Sequence, residues 1–163
     1  MDVDFFGTLY PCKLVAPMMM ERGSGHIVNF SSGAGFLGVF GYTAYSAAKF
    51  AIRGFSDALR SELKPYGVRV SIVFPPDVDT PQLLEENKYK PLETERISGT
   101  IKPLQPEQVA QAVVRAIERN KYIVIPNFEL SLYYVLTNGI QCFARWYFDR
   151  LIASARKERG STS

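Results

Sequence analysis

The segment "YTAYSAAKF", residues 42–50, carries a tyrosine and a lysine four positions apart, Tyr45 and Lys49. In a helix that spacing puts both side chains on one face. A free phenol titrates at about 10, so at neutral pH it is a poor base and a modest acid. A nearby ammonium stabilises the phenolate and lowers that pKa, and the positive end of a helix acts the same way. A tyrosine tuned like this can give a proton to a carbonyl oxygen as hydride arrives, or remove it in reverse. The same oxygen needs a fixed hydrogen-bond donor, and Ser32, closing the preceding apolar run, is the candidate. Taken alone, Tyr-x-x-x-Lys also fits a half-buried tyrosine beside a solvated lysine. The order of segments argues for chemistry: an apolar run ending in Ser-Ser, a glycine-rich loop, Tyr-Ser-Ala-Ala-Lys, an apolar run ending in Pro-Pro, then Asp-x-Asp-Thr.

The elements that must position these residues follow from periodicity. "HIVNFSS" (26–32), "VRVSIVFPP" (68–76) and "KYIVIP" (121–126) are short, apolar and rich in β-branched residues, as buried strands are. Helical patterns precede or separate them. Residues 2–21 read as an amphipathic helix with Val3, Phe6, Leu9, Tyr10, Leu14, Pro17 and Met18 on one side, bent by Pro11 and Pro17. The second helix runs from an N-cap at Thr43 to Leu63, with Phe50, Ala51, Gly54, Phe55, Ala58 and Leu59 at helical spacing. Arg53, Arg60 and Lys64 then form a solvated basic strip. A third helix spans 105–120. Strand–helix–strand–helix–strand at this spacing predicts right-handed βαβ units and a parallel sheet. Residues 77–105 form a polar connection with one short helix at 81–87, in the style of a lid or binding loop. Gly33, Gly35 and Gly38 spell G-x-G-x-x-G. The helix signal waits until residue 43 and no acidic residue closes the next strand at the required distance, so these glycines are read as a crevice loop rather than a phosphate cradle.

Composition sets outer bounds. The 163 residues are 47% hydrophobic and 21% charged, as in one globular domain. A formal charge of +3 argues against nucleic acid as a partner. Cys12 and Cys142 show no metal or disulfide spacing and read as reduced thiols. His26 stands alone and reads as structural, so no metal site is expected. Met18, Met19 and Met20 read as packing residues. The acidic "MDVD" start does not resemble a signal peptide, and no apolar stretch reaches the roughly 20 residues of a membrane span.

The ordered segments strongly resemble the second half of the short-chain dehydrogenase/reductase superfamily. Within it, "GFLGVFGYTAYSAAKFAIRG", "FPPDVDTP", "EEN" (85–87) and "KPLETERIS" (90–98) look most like the 3-ketodihydrosphingosine reductase branch. The resemblance implies a partial Rossmann-like fold, a doubly wound parallel α/β sheet lacking its nucleotide-binding half. It implies that Ser32 polarises the substrate carbonyl, Tyr45 is the general acid, and Lys49 lowers its pKa and holds the nicotinamide ribose. Pro75, Val78 and Thr80 would contact the nicotinamide half of NADP(H) or NAD(H). Asp4 stands where the family has a catalytic asparagine, and Pro76 where a glycine is usual. The expected activity is reduction of a small-molecule or lipid ketone such as 3-ketodihydrosphingosine. Because the glycine-rich nucleotide loop is absent, the cofactor site is expected to be incomplete and the chain truncated. The alternatives are a short-chain dehydrogenase of other substrate, or an inactive fragment acting as an interaction or membrane-surface module.

Residues 1–126 are thus read as the catalytic half of a dehydrogenase domain and 127–163 as an aromatic, basic tail. Phe143, Trp146, Tyr147, Leu151 and Ile152, with Arg145, Arg150, Arg156, Lys157 and Arg159, fit either a membrane-surface helix or one packed on the domain or a second subunit. A homodimer through the helices at 2–21 and 43–63 follows from the family. The expected location is the cytoplasm or the cytoplasmic face of a membrane.

Overall fold

The computed structural model describes residues 1–139, so Cys142 and the aromatic and basic residues from Phe143 to Arg159 lie outside the described residues. A π-helical turn, Asp2–Phe6, leads into α1 (Gly7–Arg22). There follow β1 (Gly25–Phe30), α2 (Thr43–Leu63), β2 (Val68–Val73), α3 (Pro81–Asn87), α4 (Leu92–Ser98), α5 (Pro106–Glu118), β3 (Ile123–Val124) and α6 (Phe128–Asn138). The strands are parallel in the order β1-β2-β3, with Gly25 to Phe30 opposite Val68 to Val73. β2 is central and its Ile72 and Val73 have no exposed surface.

Alternation along β2 assigns the two faces. Ile72 and Phe74 pack with Ile52 of α2 and Phe36, whereas Val73 packs with Val109 and Ala116 of α5. α2 and α5 therefore cover opposite faces while the strands advance in one direction. The two crossovers then have opposite hands, so only one of them can be the right-handed unit expected from the pattern. The long connection from Phe74 to Gln105, which holds α3 and α4, lets the chain reach the far face.

Two amphipathic readings are corrected. In α1 the buried side is Cys12 and Ala16, with Met19 and Met20 partly covered, whereas Val3, Tyr10, Leu14 and Met18 are exposed. The small side chains face the sheet because they let the helix backbone come close. The helix also continues through Pro11 and Pro17. In α2 the buried side is Ser46, Ala48, Ile52, Arg53, Ser56 and Leu63, while Phe50, Gly54 and Ala58 are exposed. Thr43 is the first helical residue, and Tyr42 precedes it without a side-chain cap. Arg53 is not on a solvated strip: it is buried, its Nη2 donates to Asn138 Oδ1 at 2.8 Å, and its guanidinium lies 5.5 Å from the Tyr134 ring centre. That contact, with Leu130 and Tyr134 packed on Phe36 and Phe74, docks α6 on the domain.

Candidate active site

The site lies at the carboxyl ends of β1 and β2, where an open parallel sheet places its crevice. The two serines after β1 divide the work. Ser31 is buried and its hydroxyl donates to the Lys49 carbonyl at 2.9 Å, pinning the strand end to α2. Ser32 is half-buried and lines one cleft with Tyr45. Its Oγ also accepts the Ala34 amide at 3.2 Å, capping a single 3-10 turn, Gly33–Gly35.

That turn explains the glycines. A Cβ on Gly35 would stand 2.2 Å from Ser31 Oγ and 2.9 Å from the Lys49 carbonyl oxygen. Every amide of the turn has a partner inside the chain. Gly33 donates to Pro75 at 3.0 Å, Gly35 to Ser32 at 2.8 Å, and Phe36 and Leu37 both to Gly33 at 3.2 Å. No row of free N–H groups is left to hold a pyrophosphate, so the glycines serve close packing.

Tyr45 and Lys49 meet as their spacing requires, with the Lys49 Nζ 5.3 Å from the Tyr45 ring centre. Lys49 also pairs with Asp4 Oδ1 at 2.8 Å, so the π-helical turn before α1 enters the site. Burial pushes the Tyr45 phenol above the ordinary value. The Ser32 hydroxyl and the Lys49 charge oppose this, while Asp4 and Glu86 add to it. The expected lowering by Lys49 is thus present but outweighed by desolvation.

Sequence reasoning assigned no role to a neighbouring group. Tyr42 lies beside Tyr45, with ring centres 5.3 Å apart. Its phenol is raised by burial, with the Lys90 charge opposing. Lys90 Nζ bonds Asp77 Oδ2 at 2.9 Å, and its side chain is only 3% exposed. Burial disfavours the Lys90 ammonium, but the bond to Asp77 more than offsets it and the pKa is raised. Asp77 and Lys90 sit inside the quoted "FPPDVDTP" and "KPLETERIS" segments, whose long separation in sequence hid their pairing.

Pro75 is near Ser32, its carbonyl accepting the Gly33 amide. Val78 bridges to Leu104 and packs against the cluster of Val73, Val109, Ala116 and Val124. Thr80 caps α3, its hydroxyl accepting the Leu83 amide at 3.3 Å. The donors that suit a nicotinamide ribose, the Tyr45 hydroxyl and the Lys49 ammonium, are together. No group of three or more potential metal ligands occurs among the described residues. His26 Nε2 is 2.7 Å from Ser71 Oγ, a structural role.

Residues 1–90 match the family described as short chain dehydrogenase. The chain belongs to that family. It is 54% identical over 121 residues to the mouse 3-ketodihydrosphingosine reductase, covering 74% of this chain and 36% of the mouse protein. It is 45% identical over 155 residues to the 3-ketodihydrosphingosine reductase of Dictyostelium discoideum, covering 94% of this chain and 46% of that one. The chain therefore spans less than half the length of these relatives. Among solved structures, a Sphingobium yanoikuyae short-chain dehydrogenase in complex with NADPH superposes with a TM-score of 0.70 at 22% identity, over 86% of this chain and 52% of that chain. A Burkholderia phymatum short chain dehydrogenase/reductase in complex with NAD gives 0.69 at 20% identity, over 88% and 57%. These neighbours fix the fold as a partial Rossmann-like α/β sheet of the short-chain type.

Proposed function

We propose that this chain carries the catalytic machinery of an NADP(H)-dependent carbonyl reductase acting on a long-chain lipid ketone such as 3-ketodihydrosphingosine. The observation that carries the reading is the Ser32–Tyr45–Lys49 group, with Ser32 and a half-buried Tyr45 lining one cleft and the Lys49 ammonium 5.3 Å from the Tyr45 ring centre. The identity to 3-ketodihydrosphingosine reductases supports the substrate. A bound nicotinamide would supply the hydride. Tyr45 gives its proton to the carbonyl oxygen, and the Lys49 charge works toward the lower pKa that an effective acid needs, against the burial that raises it. The Ser32 hydroxyl donates to the same oxygen and stabilises its developing charge. Lys49 stabilises the phenolate that remains, and Asp4 holds Lys49 in place.

The exposed Tyr10, Leu14 and Met18 of α1 and Phe50 of α2 are the surface that a homodimer would use. The exposed Phe128, Leu132, Val135 and Leu136 of α6 support contact of 127–163 with a membrane surface. No described helix is long and apolar enough to cross one. The cytoplasmic face of a membrane suits these features.

The test is NADPH binding by calorimetry and NADPH oxidation with 3-ketodihydrosphingosine, using the full chain beside Tyr45→Phe. We expect binding in both and turnover reduced by roughly 10²–10⁴-fold in the variant. Failure to bind NADPH overturns the reading and leaves an interaction or membrane-surface module.

A further inference from the structure

The edge of the sheet at β3 carries a groove that the reduction does not use. β3 pairs with β2 on one side only. The carbonyls of Tyr122 and Val124 accept the amides of Ile72 and Phe74 on that side. Successive residues of a parallel strand turn their backbone groups to alternate sides, so Ile123 and Ile125 present N–H and C=O groups to the open edge. Such a row of donors and acceptors is a template for one more strand.

A cavity of about 220 Å³ lies along that edge, between β3 and α5. Its charged lining groups are Arg115 of α5, Arg119 at the carboxyl end of that helix and Lys121 just before β3, and no carboxylate lines it. Arg115 and Arg119 are one helical turn apart and share a face. All three cations are exposed, and among the described residues none has a side-chain hydrogen bond or an ion pair. Glu118 of α5 is outside the lining. Asp57, which accepts from the Tyr122 hydroxyl at 2.8 Å, belongs to α2 on the opposite face of the sheet. Arg69 of β2, hydrogen-bonded to Asn120, adds a further positive charge beside Lys121.

Charge opposes two occupants of this groove. A second copy paired edge to edge would set these cations against their own kind. Residues 140–163 of this chain carry five Arg or Lys against two Asp or Glu, so they are repelled as well. We infer that the open edge of β3 is the docking site for an extended acidic segment of a partner protein. The segment adds as a further strand, its backbone pairing with Ile123 and Ile125. Carboxylates at alternate positions, on the α5 face of the sheet, meet Arg115, Arg119 and Lys121. Backbone pairing gives the affinity and the cations select the charge. The inference is independent of the reductase reading, because the groove shares no lining residue with the cavities at Ser32.

The probe is a fluorescein-labelled hexapeptide of alternating glutamate and threonine, titrated with the full chain and read by fluorescence anisotropy. One control replaces glutamate with lysine. The other keeps glutamate but carries N-methylated backbone amides, which removes the strand's donors and leaves its charge. The glutamate peptide should bind at least roughly tenfold tighter than either control, the equivalent of one charge-assisted hydrogen bond. Arg115→Gln with Arg119→Gln alters exposed side chains only and should weaken binding by a similar factor, with the circular dichroism spectrum unchanged. Arg115→Glu with Arg119→Glu should reverse the preference in favour of the lysine peptide. Ile125→Pro removes a donor from the open edge, where a strand tolerates proline, and should weaken the glutamate peptide's binding. No binding, equal binding of the glutamate and lysine peptides, or binding undiminished by N-methylation or in the double glutamine variant overturns the inference. A dimer of the chain, seen by sedimentation and dissociated by Ile125→Pro, assigns the edge to a second copy and overturns it too.

Discussion

Asp4 Oδ1 stands 2.8 Å from Lys49 Nζ, tying the turn before α1 to the second turn of α2. The pair is partly exposed, 33% for the Asp4 side chain and 13% for that of Lys49. Its value for stability is accordingly small, about 1 kcal/mol or less. Its consequence is electrostatic, because Asp4 raises the pKa of Tyr45 while Lys49 lowers it.

Asp4→Asn should therefore lower the Tyr45 pKa and shift the alkaline limb of ketone reduction, where the phenol loses its proton, to lower pH. The check is a difference titration of tyrosine absorbance, with Tyr45→Phe as the subtraction, alongside the pH–rate profile. An unmoved titration would show that the Asp4 charge does not reach the phenol. Unfolding midpoints should change little.

The glycine loop separates packing from flexibility. Gly35→Ala places a methyl group 2.2 Å from Ser31 Oγ and 2.9 Å from a backbone oxygen of α2. It should cost about 1–3 kcal/mol and shift Ser32 away from Tyr45. At Gly38 nothing lies within 4 Å of the added Cβ, so Gly38→Ala should be tolerated. Urea denaturation of the two variants tests the contrast, and equal behaviour would refute the packing account.

Arg53 anchors α6. Arg53→Ala removes the donor to buried Asn138 and the cation beside the Tyr134 ring. Leaving that amide oxygen buried without its charged partner should cost about 2–3 kcal/mol, read as a lower urea midpoint. Proteolysis should become faster first around residues 128–138, because α6 is what loses its tether.

Stability should be greatest near neutral pH and fall on both sides. Burial raises the pKa of Tyr45, Tyr42 and Cys12. Each contributes stability that is complete below its ordinary unfolded-state value and is lost as pH rises through the folded value. Burial, aided by the Arg69 charge, lowers His26. Its contribution is complete above the ordinary imidazole value and is lost as pH falls through the folded one. Denaturation midpoints across pH check this, and His26→Gln should flatten the acid limb only.

The parallel α/β class, the extent of α2 and the meeting of Tyr45 with Lys49 are legible in the sequence. These depend on local spacing: four residues are one helical turn wherever the helix lies. The sequence also separated the glycine loop from a phosphate cradle, since the helix after it starts too late. It named the family, because several motifs in fixed order are jointly specific. Tertiary structure decided the rest. Which sides of α1 and α2 face inward depended on how closely each helix approaches the sheet, so Cys12 and Ala16 are covered and Leu14 is not. The opposite hands of the two crossovers depended on the path of the long connection through α3 and α4. The pairing of Asp77 with Lys90 joins residues thirteen positions apart across that connection. The direction of the Tyr45 pKa was a balance between burial and neighbouring charge. Spacing supplies the neighbour, and only packing supplies the burial.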